Sequence, residues 1–468
     1  MVGFLSKDSV KLKIGIFIHE KPFLRSWLYS GVVSSLSQDF EVTIFHDRER
    51  VIVNLDEIPD NVKSVGLDFH RSEFKGNLLN DVLLFEFQDR SPTFTYRRER
   101  YLFGWYLWKF NFQTVERLVS GLRKIKLFRL FIYKSARYLL LFKSIRRFIL
   151  ARLDKWLESH ETIKETGLIE DLDLIILPSN GAENFINPFL GQLNRLNLKS
   201  LVALDNWDNM SSKTILRSKP TFITAMGEQS ARHAYQVQDI EKENIWVTGL
   251  SRFEVYRKYI GDKNLTSKSN LNLRKRVIYL GCAIPHNEVT LISKLIKSNL
   301  YDGVEFIYRP HPQAVPRLGE NKIDLQKLGV KLDSSSGPIN PRTGWPETTD
   351  SFVNLIRNAD LVIATPTTLA LEAILLGGNV IIDGTIDGVN RTSAGCAINR
   401  YLHLRDLRNV NNLRIAKTFD EIINLSLQRL NDEDTYDIEV DISELLFFSE
   451  ISYAEILRNY IEINLAGK

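Results

Sequence analysis

Two stretches of this chain combine anion-binding residue types with a spacing that places them at strand ends. The first is Tyr308-Arg309-Pro310-His311-Pro312, directly behind an apolar run. Each proline fixes φ and lacks an N–H, so a strand cannot extend its ladder there, and Arg309 and His311 are presented on stiff backbone. Arg309 would offer a planar fork of donors to a phosphate, and His311 a donor whose charge follows the bound anion. A simple strand-ending turn with a solvated arginine is the alternative. The second stretch starts at Asp360, where an apolar run passes through Thr365, Pro366, Thr367 and Thr368 into a helical pattern containing Glu372. A threonine N-cap at the positive end of a helix, with open backbone N–H groups behind it, makes an anion cradle without a glycine-rich loop. Such a threonine often does no more than cap. Two anion-competent strand ends in one α/β series nevertheless point to a shared phosphate site.

The elements that must position these residues alternate between strand and helix. Apolar runs at 13–18, 40–45, 64–69, 172–177, 200–204, 221–225 and 244–247 read as strands, with a helical pattern at 24–36. After a polar linker at 258–275, a second series begins. Its strands are 276–280, 304–308, 361–364 and 380–382, and its helices 288–297, 351–358 and 368–376. These strands are apolar on both faces, as buried parallel strands must be. The expectation is an α/β protein of two doubly wound Rossmann-like domains facing across a cleft. The N-terminal domain spans 1–257, the C-terminal domain 276–442, and packing helices 443–468, with ligands at the C-terminal ends of the strands.

The sequence 308–312, followed by the segment from Asp360 to Gly377, resembles the nucleotide-binding domain of GT-B glycosyltransferases of bacterial surface polysaccharide biosynthesis. The His-Pro pair is similar to that of sialyltransferases, Kdo transferases and CDP-glycerol glycerophosphotransferases. The stretches Leu204-Asp205-Asn206-Trp207-Asp208-Asn209-Met210, Gly227-Glu228-Gln229-Ser230 and Val247-Thr248-Gly249-Leu250-Ser251-Arg252-Phe253 resemble the second half of the N-terminal domain in such proteins. The resemblance covers roughly residues 170–395. It implies that His311 contacts the donor phosphate, that Thr367 and Thr368 replace serines binding the same phosphates, and that Glu372 holds the ribose hydroxyls. Arg309, Thr365 and Gly281 complete the expected donor set. The implied activity is transfer of a sugar from a nucleotide-activated donor, cytidine-linked by this resemblance, to a lipid-linked or growing surface glycan. A CDP-glycerol or CDP-ribitol phosphotransferase, a nucleotide-sugar 2-epimerase and a non-catalytic nucleotide-binding subunit share the architecture.

The acidic motif that supplies the general base in sialyltransferases has no counterpart here, so the base is sought by chemistry. It must be a carboxylate or imidazole within reach of the acceptor hydroxyl, on the N-terminal side of the cleft. His19 and Glu20 follow the first strand and Asp208 follows another strand end, with Asp205 equally well placed. Turn, cap and packing roles are the ordinary alternatives for all of them.

Other chemistries are not indicated. There is no G-x-x-x-x-G-K-[ST], no strand followed by G-x-G-x-x-G, no H-x-x-x-H and no C-x-x-C. Asp171-Leu172-Asp173 precedes its strand and so lies at the wrong end of the sheet for a metal-binding D-x-D. A metal-independent enzyme without cofactor is expected, its donor's charge met by Arg309, His311 and helix dipoles.

Charge is unevenly spread. Residues 97–155 hold 16 Lys/Arg against three acidic residues, a net +13, which leaves −9 for the remainder of a chain whose total is +4. That pattern suits one local anionic partner and not a general nucleic-acid binder. The window, read as a helical insertion, mixes aromatics, aliphatics and basic residues. Lying in a membrane interface, with Arg129, Lys134, Lys143, Arg146 and Arg147 on anionic headgroups, is the expectation, and docking on the N-terminal domain or a second subunit the alternative. With 468 residues, 44% hydrophobic, and two cysteines, a cytoplasmic protein at the inner membrane face is expected.

Overall fold

The computed structural model describes residues 11–51, 53, 55–107, 138–181, 183–213, 215–260, 274–298, 303–311, 321–333, 349–390, 393–431 and 440–465. Two all-parallel sheets organise it. The N-terminal sheet has seven strands, β1 (Lys13–Ile18), β2 (Glu41–Asp47), β3 (Lys63–Leu67), β4 (Leu174–Ser179), β5 (Ser200–Leu204), β6 (Phe222–Ala225) and β7 (Ile245–Val247), in the order β3-β2-β1-β4-β5-β6-β7. The C-terminal sheet has six, β8 (Arg276–Leu280), β9 (Glu305–Arg309), β10 (Lys331–Leu332), β11 (Leu361–Ala364), β12 (Val380–Asp383) and β13 (Arg414–Ala416), in the order β10-β9-β8-β11-β12-β13. In each sheet the strand order reverses direction next to the first strand, β1 or β8. That is the switch point at which doubly wound folds bind ligands.

Burial explains why these runs are strands. Every residue of β4, β5, β6, β11 and β12 is buried, because helices cover both sheet faces. In β1 a side chain at Gly15 would meet Leu172 at 2.6 Å and the Phe45 ring at 3.0 Å, so glycine lets Phe17 and Phe45 stack at 4.7 Å. One apolar cluster continues from Phe17, Phe189 and Leu204 through Trp207, Phe253 and Tyr256 to Ile278, Val362 and Ile382. The inner faces of the two sheets therefore share a core, and the lobes are packed on each other.

The structure differs from the periodicity in a few places. The helical pattern at 24–36 is interrupted: a π-helix occupies Leu24–Tyr29, Gly31 takes φ 85°, and the α-helix runs only over Val32–Asp39. β10 and β13 were not anticipated, being two and three residues long, at sheet edges, and each starting on a basic residue. Among the described residues of the C-terminal stretch only Tyr453–Leu465 is helical. That helix packs on the N-terminal lobe, with Tyr460 stacked on Trp246 at 5.3 Å and Tyr453 edge-on to Trp27 at 6.0 Å. The segment before it runs across the loops after β6 and β7. Phe447 N–H donates to the Met226 carbonyl, Gln229 N–H to that of Glu444, and a side chain at Gly227 or Gly249 would strike this segment's backbone.

Of the basic window, residues 108–137 lie outside the described residues, and its described ends fall in helices Pro92–Leu107 and Lys143–Ser159. Arg129 and Lys134 lie outside the described residues. Lys143 and Arg147 are exposed. Arg146 is not available to a membrane: its side chain is 11% exposed, its Nε donates to Glu86 at 2.9 Å and its Nη1 to the carbonyls of Leu140 and Leu141. Its apolar neighbourhood, built on Leu140, Leu153 and Leu157, buries the stem and makes this arginine a structural tie. Among the described residues no helix is long and apolar enough to cross a membrane.

Candidate active site between the lobes

The C-terminal ends of β1, β4 and β5 bring together a group of buried polar residues. His19, immediately after β1, is 1% exposed. Its ring lies 4.8 Å from Phe23 and 4.5 Å from Phe185, and its Nε2 is 3.3 Å from Glu183 Oε1. Its Nδ1 is buried without a hydrogen-bond partner. Glu183, in the loop after β4, also accepts from Ser179 Oγ (2.9 Å) and the Asn180 N–H (2.7 Å). Burial works against its charge, but the His19 bond and the Asn180 N–H outweigh it and hold the carboxyl below its ordinary value.

Asp205, one residue beyond β5, is 5% exposed and accepts from Ser26 Oγ at 3.0 Å. Burial raises its pKa to about 6, opposed by Arg252, Ser26 and Arg25. A carboxyl titrating there can hold or release a proton near neutral pH. The π-helix places Arg25 and Ser26 on this side, a local widening often found at functional sites. Asp208 serves the turn instead. It accepts from Ser212 Oγ at 3.0 Å and pairs with Lys213 at 3.2 Å, and although burial resists, these cations and donors keep its pKa low. Glu20 is half-buried and its carbonyl caps the following turn by accepting from Phe23 N–H at 3.1 Å.

Across the cleft, the helix Thr368–Leu375 starts directly after β11 with Thr367 as its N-cap. Thr367 Oγ1 is buried and makes no hydrogen bond in the structure. Thr368 is half-buried at the first helical position. Thr365 is fully buried and its hydroxyl donates to the Leu280 carbonyl at 3.0 Å, tying β11 to β8. Gly281 serves a neighbour: a side chain there would run into Glu288, whose carboxylate accepts from Cys282 N–H (2.7 Å) and Tyr308 Oη (2.5 Å). Arg309 turns to Asp333 at 2.7 Å, with its guanidinium 4.9 Å from the Phe352 ring centre. His311 follows, half-buried. β9 and β11 flank β8, so Arg309 and Thr367 lie on two strand ends separated by one strand.

Glu372 joins the lobes. Arg252 Nη2 donates to its Oε1 at 2.9 Å and Tyr256 Oη to its Oε2 at 2.5 Å, while Arg252 Nη1 reaches Asn206 Oδ1 at 3.2 Å. Arg25 Nη2 reaches Thr349 Oγ1 on the C-terminal side at 3.2 Å. Burial resists the charge of Arg252, yet Glu372 and Asp205 together hold its pKa above the ordinary value. The geometry therefore joins His19 to Glu183, Glu372 to Tyr256 and Arg309 to Asp333, partners that the sequence did not single out, and brings Arg25 to Thr349. Glu183 carries no motif, and its only signal is a position just past a strand end. Arg25 is hidden in what reads as a helical pattern. The Gly227 and Gly249 stretches turn out to receive the returning C-terminal segment, and Gln229 there binds Trp207 Nε1 (2.7 Å), the His403 carbonyl and Asp406.

Chemically, the N-terminal side holds groups suited to moving a proton, and the C-terminal side a helix terminus and buried hydroxyl suited to an anion. Asp173, from the D-x-D, accepts from Lys13 N–H at the opposite end of β4. Among the described residues no three His, Cys, Asp or Glu side chains cluster as metal ligands.

Two doubly wound lobes packed on each other, each with an all-parallel sheet, match the GT-B fold. Comparison with family models and with curated proteins returns no match. Comparison with solved structures gives full-length likeness at low identity. S. aureus MnaA, solved with UDP, superposes with a TM-score of 0.53 at 12% identity, covering 97% of both chains. A protein described as a UDP-N-acetylglucosamine 2-epimerase from Listeria monocytogenes gives 0.52 at 11% identity, covering 98% of both. The UDP-GlcNAc 2-epimerase of Neisseria meningitidis, bound to UDP-GlcNAc, gives 0.50 at 12% identity, covering 97% of this chain and 100% of its own.

Proposed function

We propose that this protein is a glycosyltransferase that uses a nucleotide-activated sugar, with the nucleotide on the C-terminal lobe and the acceptor on the N-terminal lobe. The observation that carries this is Thr367 Oγ1, buried and without a partner at the N-cap of a helix that starts at the cleft. A diphosphate oxygen satisfies both that hydroxyl and the open N–H groups behind it. Arg25 and Arg252 stand on the facing lobe, within the same cluster of charges as Glu372 and Asp205. The likeness to proteins solved with UDP and UDP-GlcNAc agrees with a nucleotide in this cleft.

In the transfer, a base takes the proton of the acceptor hydroxyl as its oxygen bonds the sugar's anomeric carbon. The bond from that carbon to the phosphate oxygen breaks, and its electron pair leaves with the nucleotide. His19 fits the base, because Glu183 orients its ring and stabilises the imidazolium that forms. Asp205, poised near neutrality, is the second proton-handling group. The arginines and the helix terminus meet the charge of the departing phosphate. The donor is proposed to be cytidine-linked and the acceptor a lipid-linked or growing surface glycan, on the His311-Pro312 resemblance. On that resemblance a CDP-polyol phosphotransfer is the alternative, in which the acceptor oxygen bonds the β-phosphorus and the bond from that phosphorus to the bridging oxygen breaks, so that CMP leaves.

A second reading, nucleotide-sugar 2-epimerisation, is favoured by the presence of two distinct proton-handling groups, His19–Glu183 and Asp205, in one cleft. One experiment separates the two. The protein is incubated with CMP-, CDP- and UDP-activated donors, with and without a glycan acceptor, while nucleotide release and sugar configuration are followed. Acceptor-dependent release, persisting in the presence of a chelator, supports metal-independent transfer. Interconversion of the donor's sugar without acceptor supports epimerisation, and the absence of both results defeats both readings.

A further inference from the structure

The helix Lys143–Ser159 and the turn before it present an outward face of unusual composition. Leu140 is buried, whereas Tyr138, Leu139, Leu141, Phe142 and Phe148 are 42–63% exposed. The turn is held rigidly. Leu141 N–H donates to the Tyr138 carbonyl, Phe142 N–H to that of Leu139, and Arg146 binds two carbonyls of the turn while tied to Glu86. The helix's charges are partly paired off. Arg146 is tied to Glu86, and Asp154 to Arg217, whose Nε and Nη2 each lie 3.0 Å from the carboxylate. Lys143, Arg147, Arg152 and Lys155 remain exposed against a single exposed acid of the helix, Glu158. Arg152 lies 5.3 Å over the Phe148 ring, the arrangement by which a cation stays near an apolar surface.

We propose that this face docks on an anionic lipid bilayer, with Phe142 and Phe148 entering the acyl boundary and Lys143, Arg147 and Arg152 meeting phosphate headgroups. Charge complementarity selects this occupant. The helix exposes Lys143, Arg147, Arg152 and Lys155 against Glu158 alone, in a chain whose residues outside 97–155 sum to −9, so an anionic surface attracts this face and repels the remainder, which sets orientation as well as affinity. Exposed aromatics beside basic residues on an amphipathic helix are the side chains such an interface accommodates. The inference stands apart from the proposed nucleotide chemistry, because none of its residues belongs to the cleft.

The test is flotation of the full chain with vesicles of phosphatidylcholine alone or mixed with phosphatidylglycerol. Wild type is expected to float with the mixed vesicles and not with phosphatidylcholine. Phe142→Ser with Phe148→Ser should reduce the bound fraction about tenfold, and Lys143→Gln, Arg147→Gln and Arg152→Gln together by about fivefold per charge removed. Lys294→Gln with Lys297→Gln, on the far lobe, should float as wild type does. Unchanged thermal midpoints and unchanged binding of CMP, CDP or UDP would show that the variants are folded and the cleft intact. Absence of wild type from the mixed vesicles, or equal flotation of the variants, overturns the proposal. So does a dimer that forms without lipid and is lost with Phe142→Ser and Phe148→Ser, which would assign the face to a second copy.

Discussion

At the carboxyl edge of the N-terminal sheet, His19, Glu183 and Asp205 sit buried side by side, each held by hydrogen bonds, and burial raises the pKa of Asp205 to about 6. At the matching edge of the C-terminal sheet stand hydroxyls, a helix terminus, an arginine paired with Asp333, and His286, whose pKa is raised, against burial, by Asp383 and its other acidic neighbours. The two lobes share an architecture yet end in different residue sets, a histidine–glutamate pair beside a buried aspartate in one, a helix terminus beside an arginine–aspartate pair and a histidine–aspartate pair in the other. The contrast teaches that a doubly wound lobe supplies a location, and that the few residues past each strand decide what happens there.

The sharpest way to break this contrast is at His19. His19→Ala, and separately Glu183→Gln, should lower kcat by about 10²–10⁴-fold while leaving nucleotide affinity near wild type. A loss confined to affinity would move the base elsewhere. Next is the clasp between the lobes: Glu372→Ala strands Arg252 without its buried partner and should cost about 3–5 kcal/mol in urea denaturation. An unaltered midpoint would show that water replaces the carboxylate.

Acid should act on the lobe contact. Burial lowers the pKa of His233 and His403 to about 4. The unfolded chain protonates them near 6.5 while the folded one does not, so their stabilising share is intact above 6.5 and is lost as pH falls toward 4. Asp205, raised to about 6 by burial, acts in the opposite sense, favouring the fold as it protonates below that pH. The histidines outweigh it, so stability should fall by about 2 kcal/mol between pH 7 and 5, and His233→Gln with His403→Gln should flatten the profile. The smallest effect distinguishes binding from structure on the C-terminal side. Thr367→Val should weaken nucleotide binding by about 0.5–1.5 kcal/mol and leave the thermal midpoint unchanged, since that hydroxyl bonds nothing in the structure.

Much of the fold was legible because buried parallel strands leave uninterrupted apolar runs. Residues 13–18, 200–204, 276–280 and 361–364 coincide with β1, β5, β8 and β11. β10 and β13 were hidden because edge strands need not be apolar. The site was less legible. His19 and Thr367 stand out by position, but Glu183 is an ordinary loop residue until β4 lies beside β1, and Asp205 and Asp208 look equivalent until Lys213 is seen to hold one and Ser26 the other. Arg309 was legible as a strand-end arginine, whereas its attachment to Asp333 depends on a strand pairing that local sequence does not encode.

The final helix, Tyr453–Leu465, belongs by its contacts to the lobe where the chain began, so the polypeptide passes between the lobes twice. A body joined to another by two tethers swings about the line through them and resists twisting or sliding. Any opening between the lobes would then be a one-axis breathing motion that has to break the buried Arg252–Glu372 contact along with the apolar seam.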